Sequence, residues 1–254
     1  MTGHLLLRGM IAGLVAGLIA FGFARFFGEP QVDRAIAFEE LMAAAEAPAD
    51  ATAAPAMEEP EAVSRETQAG IGLFTGVITY SVAMGGIFSL VFAGLYGRVG
   101  RLSPRALAAV LGVAAFVALV AVPDLKYPPN PPAVGDPETI GVRTGLFFVT
   151  LIASIFALSL AVAFARRLGG HLGRWNGAIA AGVAYVIFLA IVFRLLPAIN
   201  EVPENFPATA LYDFRLATVG LQVTLWTALS LVFGYLAEKS LERSGNYRVQ
   251  PTRA

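Results

Sequence analysis

The sequence predicts an all-α integral membrane protein, a polytopic bundle of about six transmembrane helices with Pro-rich outer loops. Three observations carry that expectation. Hydrophobic residues make up 57% of the 254 positions and charged residues only 14%, far from the soluble balance. Mean hydropathy is +0.68, and several apolar runs are about 20 residues long, enough to cross a bilayer's hydrocarbon. The 26 glycines suit close helix packing in lipid, where small residues let backbones approach.

Six spans are expected, at about 5–27, 70–97, 104–122, 144–166, 176–196 and 212–237, all within a single transmembrane domain, 1–254. The first run follows Arg8 as a signal peptide would. No Ala-x-Ala-like site precedes Arg25, however, so a retained helix is expected. Gly28-Glu29-Pro30 reads as a turn. Val32, Ala35, Ile36 and Glu39 then recur at helical spacing, which predicts a short helix lying at the interface. Residues 43–62 are Ala/Pro/Glu-rich and too poor in apolar surface to fold, so a disordered low-complexity loop is expected there.

Val122–Gly145 is the most unusual stretch, with Pro123, Pro128, Pro129, Pro131, Pro132 and Pro137 in 24 residues. Proline fixes φ and removes a donor, so the stretch reads as a stiff, polyproline-like strap rather than helix or sheet. A fainter echo follows, with Pro197-x-Ile199 and Pro203…Pro207 repeating Pro123-x-Leu125 and Pro129…Pro132. Arg143 and Arg215 close the two stretches. Two like helix–strap–helix hairpins would give this pattern, and so would shared loop composition.

Basic residues set the expected orientation. The termini and the 2–3 and 4–5 connections hold 11 Lys/Arg and only two acids, Glu238 and Glu242; the other three connections, with their helix ends, hold 7 and 16. The formal net charge of zero therefore conceals about +9 on one side and −9 on the other. Both termini are expected in the cytoplasm. An outer acidic field can concentrate cations at a pore mouth; ten of those acids lie in 28–69, where solvating a loop is the plainer purpose.

The candidate metal ligands are Asp124, Asn130, Asp136, Glu138, Glu201, Glu204 and Asp213, with Glu29, Asp33 and Asn205 nearby in the outer loops. Carboxylate and amide oxygens suit hard or borderline divalent ions held weakly, though their spacing matches no defined metal motif. The alternative for the same acids is pairing with Lys126, Arg143, Arg194 and Arg215 to stitch the outer ends together. Gly9, Gly13 and Gly17, four apart, form a small-xxx-small face, and Ala12, Ala16 and Ala20 repeat it one step round. Such a face serves internal packing or a partner helix.

Exclusions narrow the function. There are no cysteines, so no disulfide framework or thiolate metal site. Lys126 and Lys239 are the only lysines and neither follows a glycine, which removes a P-loop. His4 and His171 stand far apart, and no Ser/His/Asp cluster is visible, so no catalytic residues are assigned and an enzyme is not expected. A basic patch for nucleic acid is lacking.

Several stretches resemble one known family. They are Glu29-Pro-Gln-Val-Asp-Arg-Ala-Ile-Ala-Phe-Glu-Glu, Ser64-Arg-Glu-Thr-Gln-Ala-Gly-Ile-Gly, Lys126-Tyr-Pro-Pro-Asn-Pro-Pro-Ala-Val-Gly-Asp-Pro-Glu-Thr-Ile-Gly-Val-Arg-Thr and Leu196-Pro-Ala-Ile-Asn-Glu-Val-Pro-Glu-Asn-Phe-Pro. Together they resemble the CbtA family over nearly the whole chain except 43–62. The resemblance implies a subunit of a bacterial cobalt transporter in the inner membrane, linked to cobalamin supply. It implies Co2+ as cargo rather than cofactor. It also implies a small single-span, His-rich CbtB-like partner, which would supply the nitrogen ligands this chain lacks. It carries over no ligand residue. Two readings stand: a cobalt uptake subunit whose outer acidic loops form the entry vestibule, or a non-transporting scaffold that binds a partner helix through Gly9, Gly13 and Gly17. A homo-oligomer is compatible with either.

Overall fold

A computed structural model describes residues 2–46, 63–100, 102–132, 134–243 and 245. Among them are six helices long and apolar enough to cross a membrane: α1 (Gly3–Ala45), α2 (Arg65–Leu95), α3 (Pro104–Lys126), α4 (Pro137–Leu172), α5 (Arg174–Leu195) and α6 (Ala208–Arg243). The protein is therefore an all-helical, multi-pass membrane protein, as its apolar runs require. Most of these helices outrun the hydrocarbon. At about 1.5 Å per residue, α1 is roughly 65 Å long against about 30 Å of bilayer core.

Two expectations from proline and glycine are corrected. Gly28-Glu29-Pro30 is not a turn, and no separate interfacial helix follows it; α1 runs straight on to Glu46 through one turn of π-helix, Ala24–Gly28. Residues 43–46, expected to be disordered, end this helix, while 47–62 lie outside the described residues. Likewise Pro123 is helical, just after a second π turn at Val117–Ala121. A proline cannot bond the carbonyl four residues back, and its ring crowds that carbonyl. In both places the residue before the proline donates to the carbonyl five back, Glu29 to Ala24 and Val122 to Val117. This wider turn makes room for the ring. Among the described residues the expected strap consequently shrinks to 127–132 and 134–136, and Asp124 sits on α3 rather than on the strap.

The chain divides into two compact units. The first comprises Met1–Val113, Pro131–Ala133 and Phe206–Ala254; the second comprises Ala114–Asn130 and Val134–Asn205. In the first, α1 packs antiparallel on α2 through the glycine face. A Cβ on Gly13 would lie 2.9 Å from the carbonyl carbon of Ser81 and 3.0 Å from the Cα of Val82, and a Cβ on Gly17 would lie 2.9 Å from the Cβ of Ser81. Gly9 meets Gly85 and Ser89 in the same way. Partner-helix packing at Gly9, Gly13 and Gly17 is thus corrected: α2 fills this face from within the chain, because only glycine allows the two backbones so close. Ala12, Ala16 and Ala20 are completely buried beside it.

Helix α6 completes the first unit. The ring of Phe23 lies over Gly220, and Arg8 donates to the Leu236 carbonyl at 2.9 Å. Ser230 abuts Gly112, Ala108 abuts Gly234, and Arg105 pairs with Glu238. Phe88, Phe92, Phe233 and Trp226 form its aromatic core, with edge-on contacts at 5.1 and 5.5 Å between centroids. Ser81, Ser89, Thr150 and Thr218 return their hydroxyls to their own helices' carbonyls, the usual way to satisfy such groups in lipid.

In the second unit, α4 and α5 form a hairpin closed by one residue, Gly173, at φ +80°. The helices start almost in contact. A Cβ on Gly177 would stand 2.7 Å from the Gly169 nitrogen. Val122, Ala157 and Leu189 are the buried centre, flanked by Val117, Tyr185, Phe188 and Phe193.

Candidate functional site

The outer connections hold the candidate ligands, and the structure sorts them into two assemblies, one per unit. In the second unit both ends of the first strap, 127–130 and 134–136, are tied to the second strap, 196–205, and its flanks. Lys126 lies at the end of α3 and aims its ammonium at the C-terminus of α5, 2.8 Å from the carbonyl of Phe193 and 3.0 Å from that of Leu196, the capping residue. A cation at a helix C-terminus satisfies otherwise orphaned carbonyls and complements the dipole. Tyr127 adds a hydrogen bond from its hydroxyl to the Pro197 carbonyl at 2.9 Å.

The other tie centres on Glu201. Its Oε2 accepts from the Asp136 amide at 2.8 Å, its Oε1 from the Thr139 hydroxyl at 2.7 Å, and the Arg143 guanidinium stands 3.3 Å away as an ion pair. Arg143 also donates to the Asp136 carbonyl at 3.0 Å. Its guanidinium lies against Gly135, where φ is +125° and a side chain has no space. Asp136 is spent locally: its Oδ1 accepts from the Glu138 amide at 2.8 Å, capping the 3-10 turn Pro137–Thr139 that opens α4. Asp at a cap followed by Pro is a helix-start signal, and it could have been read in Gly-Asp-Pro-Glu.

These contacts hold the Glu201 carboxyl below its ordinary value of 4.5, chiefly through the Asp136 amide, then the Thr139 hydroxyl, with Arg143 adding attraction. The anion is favoured in the folded form. The stability it contributes is complete above pH 4.5 and is lost as pH falls through the lowered value. The Asp136 amide should therefore keep its protection from hydrogen exchange at neutral pH and lose it in acid below that value. Glu201→Gln should show weak protection at every pH. Protection in the variant equal to that of the unaltered chain would show that the carboxylate is not the tie.

In the first unit, Arg65 at the head of α2 bridges two acids of α1: Glu29, which is buried, and Asp33 at 2.8 Å. One residue on, Arg34 reaches Asp213 of α6 at 3.2 Å and Gln31 at 2.9 Å. This network pins the extramembrane part of α1 to the outer ends of α2 and α6.

Of the seven candidate ligands, Asp213 belongs to the first unit and the other six to the second. Asp136 and Glu201 share the strap tie, to which Glu138 gives only its backbone amide. Asp213 belongs to the Arg34 pair in the other unit. Glu138 and Glu204 are exposed and Asp124 is half-buried on α3. Among the described residues no three His, Asp or Glu side chains converge on a point that could hold a metal ion. The predicted pairing partners are also redistributed. Arg143 does pair with an acid, whereas Lys126 serves carbonyls, and Arg34 and Arg65 take the acids of the first unit.

Comparison with known proteins gives one family for this chain. The family model for the probable cobalt transporter subunit (CbtA) matches residues 2–238. The chain belongs to the CbtA family. No curated protein and no solved structure matches it. The match runs through both straps, both sets of ties and all six spans.

The residues that the sequence reading missed are Arg65, Arg34, Thr139, Tyr127 and Gly135. Ser64 accepting from the Thr67 amide at 3.4 Å marks a helix start, which places Arg65 in the first turn. That signal was legible. The pairing of Arg65 with residues 32 and 36 positions away was not, because it depends on α1 continuing past Pro30. The echo of the two straps also divides in three dimensions: Pro123 lies inside α3, whereas Pro197 lies beyond the end of α5.

Proposed function

We propose that this CbtA-family chain is the membrane subunit of a cobalt uptake transporter in the bacterial inner membrane, with both termini cytoplasmic. Its acidic outer loops act as a vestibule that concentrates divalent cations. Family membership supports the cargo, and one feature of the chain itself supports the vestibule: 16 of 18 acids fall in the three connections opposite the termini. Acidic residues contribute little to insertion, so this bias serves something other than topology.

The acids divide by duty. Glu29, Asp33, Asp213 and Glu201 are ion-paired and hold the loops in place. Asp124, Glu138 and Glu204 supply field for the cation, with Asn130 on the strap between the first two. Coordination during passage falls to ligands this chain does not group together, and a small single-span, His-rich partner subunit would provide the nitrogen donors. The chain performs no catalysis in this reading; Co2+ is cargo.

Neutralising Glu138 and Glu204 together to Gln tests the vestibule without touching the ion pairs. The apparent KM for Co2+ should rise about two- to fivefold at low ionic strength with Vmax unchanged. The difference should vanish near 1 M salt, where screening acts over about 3 Å. A KM indifferent to both changes would remove the vestibule from the mechanism.

A further inference from the structure

The tip of the α4–α5 hairpin is the least neutralised surface of the second unit. Arg166 and Arg167 in the last turns of α4 and Arg174 at the start of α5 are all exposed. None of the three makes a hydrogen bond or ion pair among the described residues. The acids of this unit, Asp124, Asp136, Glu138, Glu201 and Glu204, all lie at the opposite ends of its helices. At about 1.5 Å per residue, Glu138 and Arg166 are roughly 40 Å apart along α4, several times the ~8 Å over which charges act at physiological salt.

Geometry concentrates these charges. The positive φ of Gly173 allows the one-residue turn, and the contact of Gly177 with Gly169 draws the two helices together. The three arginines therefore share one end of the hairpin, within the last two turns of α4 and the first turn of α5. Apolar surface begins immediately beside them: Trp175 is 78% exposed, Leu172 51% and Phe164 44%. A bare cationic tip, an exposed indole and an adjoining lipid-facing apolar face describe the headgroup level of a leaflet.

We propose that this tip binds anionic phospholipid headgroups. The arginines take the phosphodiester and its extra negative charge, guanidinium being suited to forked contact with phosphate oxygens. The Trp175 ring packs at the junction of headgroup and acyl chain. Anchoring by insertion bias alone would need the positive charge but not a lipid preference at this spot, so the two differ in what they predict.

The test uses the full chain in phosphatidylcholine nanodiscs carrying a minor fraction of acyl-brominated lipid, either phosphatidylglycerol or phosphatidylcholine. Bromine quenches a nearby indole. The protein has two tryptophans, and Trp226 is buried in the first unit, so its signal is taken from Trp175→Phe and subtracted. The expected result is enrichment of brominated phosphatidylglycerol over phosphatidylcholine at Trp175 by at least about fivefold, the factor one well-placed basic residue contributes. Arg166→Gln/Arg167→Gln/Arg174→Gln should abolish that preference while circular dichroism stays unchanged. The charge-matched control Arg98→Gln/Lys239→Gln/Arg243→Gln should retain it. Equal quenching by the two lipids in the unaltered chain would overturn the proposal. Persistence of the preference in the hairpin variant, or its loss in the control, would do the same. The readout involves no transport and is independent of the cobalt reading.

Discussion

Gly13→Leu should unfold the first unit. The Cβ alone would sit against the carbonyl of Ser81 and 3.0 Å from the Cα of Val82, and these are backbone atoms that no rotamer change can move. Leucine adds three further carbons where α1 and α2 already touch. Overpacking a well-packed core costs about 1–3 kcal/mol where side chains and backbone can shift. Here the helices must separate, so the loss should exceed about 3 kcal/mol, beyond the usual range of single substitutions. Gly22→Leu on the same helix, where nothing lies within 4 Å of the added carbon, is the matched control. Unfolding midpoints in detergent should fall steeply for the first variant and little for the second. Equal midpoints would mean that α1 and α2 do not meet through this face.

The next largest effect is expected at Arg65→Ala. Glu29 is 6% exposed and depends on Arg65, whose side chain is 29% exposed and which also holds Asp33. Removing one partner of a fully buried pair costs about 3–5 kcal/mol, because the other charge stays buried and alone. Partial exposure of Arg65 brings the expected cost down to about 2–3 kcal/mol. The double variant Arg65→Ala/Glu29→Gln should recover part of that loss, since a neutral amide is less costly to bury than a carboxylate. Proteolysis should report the change in the extramembrane half of α1, which the pair holds. A double variant no more stable than Arg65→Ala would show that Arg65 acts through packing rather than through the Glu29 charge.

The spans and the small-residue stripes were legible because both follow from the bilayer: twenty apolar residues cross it, and glycines four apart mark a close approach. Sequence alone left open whether Gly9, Gly13 and Gly17 face α2 or another chain, since a stripe does not encode which helix meets it. The prolines misled in a physical way. Pro30 and Pro123 read as helix ends, and each is absorbed by a π turn that has no residue signature of its own. The site followed from that. With α1 continuing past Pro30, Glu29 and Asp33 fall within reach of Arg65, and with Pro123 inside α3, Lys126 reaches α5. Of the acids that looked like a shared ligand set, Asp136, Glu201 and Asp213 turn out to be fasteners within their own units. Asp136 illustrates the rule most simply, since an acid before proline caps a helix before it is free for a metal.

If cobalt crosses the membrane through this chain, Co2+ flux should depend on its presence. Radiolabelled Co2+ uptake into proteoliposomes tests it most directly, with this chain alone and with the small His-rich partner. Uptake that requires this chain, and that is larger when the partner is present, is the predicted result. No uptake above empty liposomes in either preparation, with the chain folded and inserted, would contradict it.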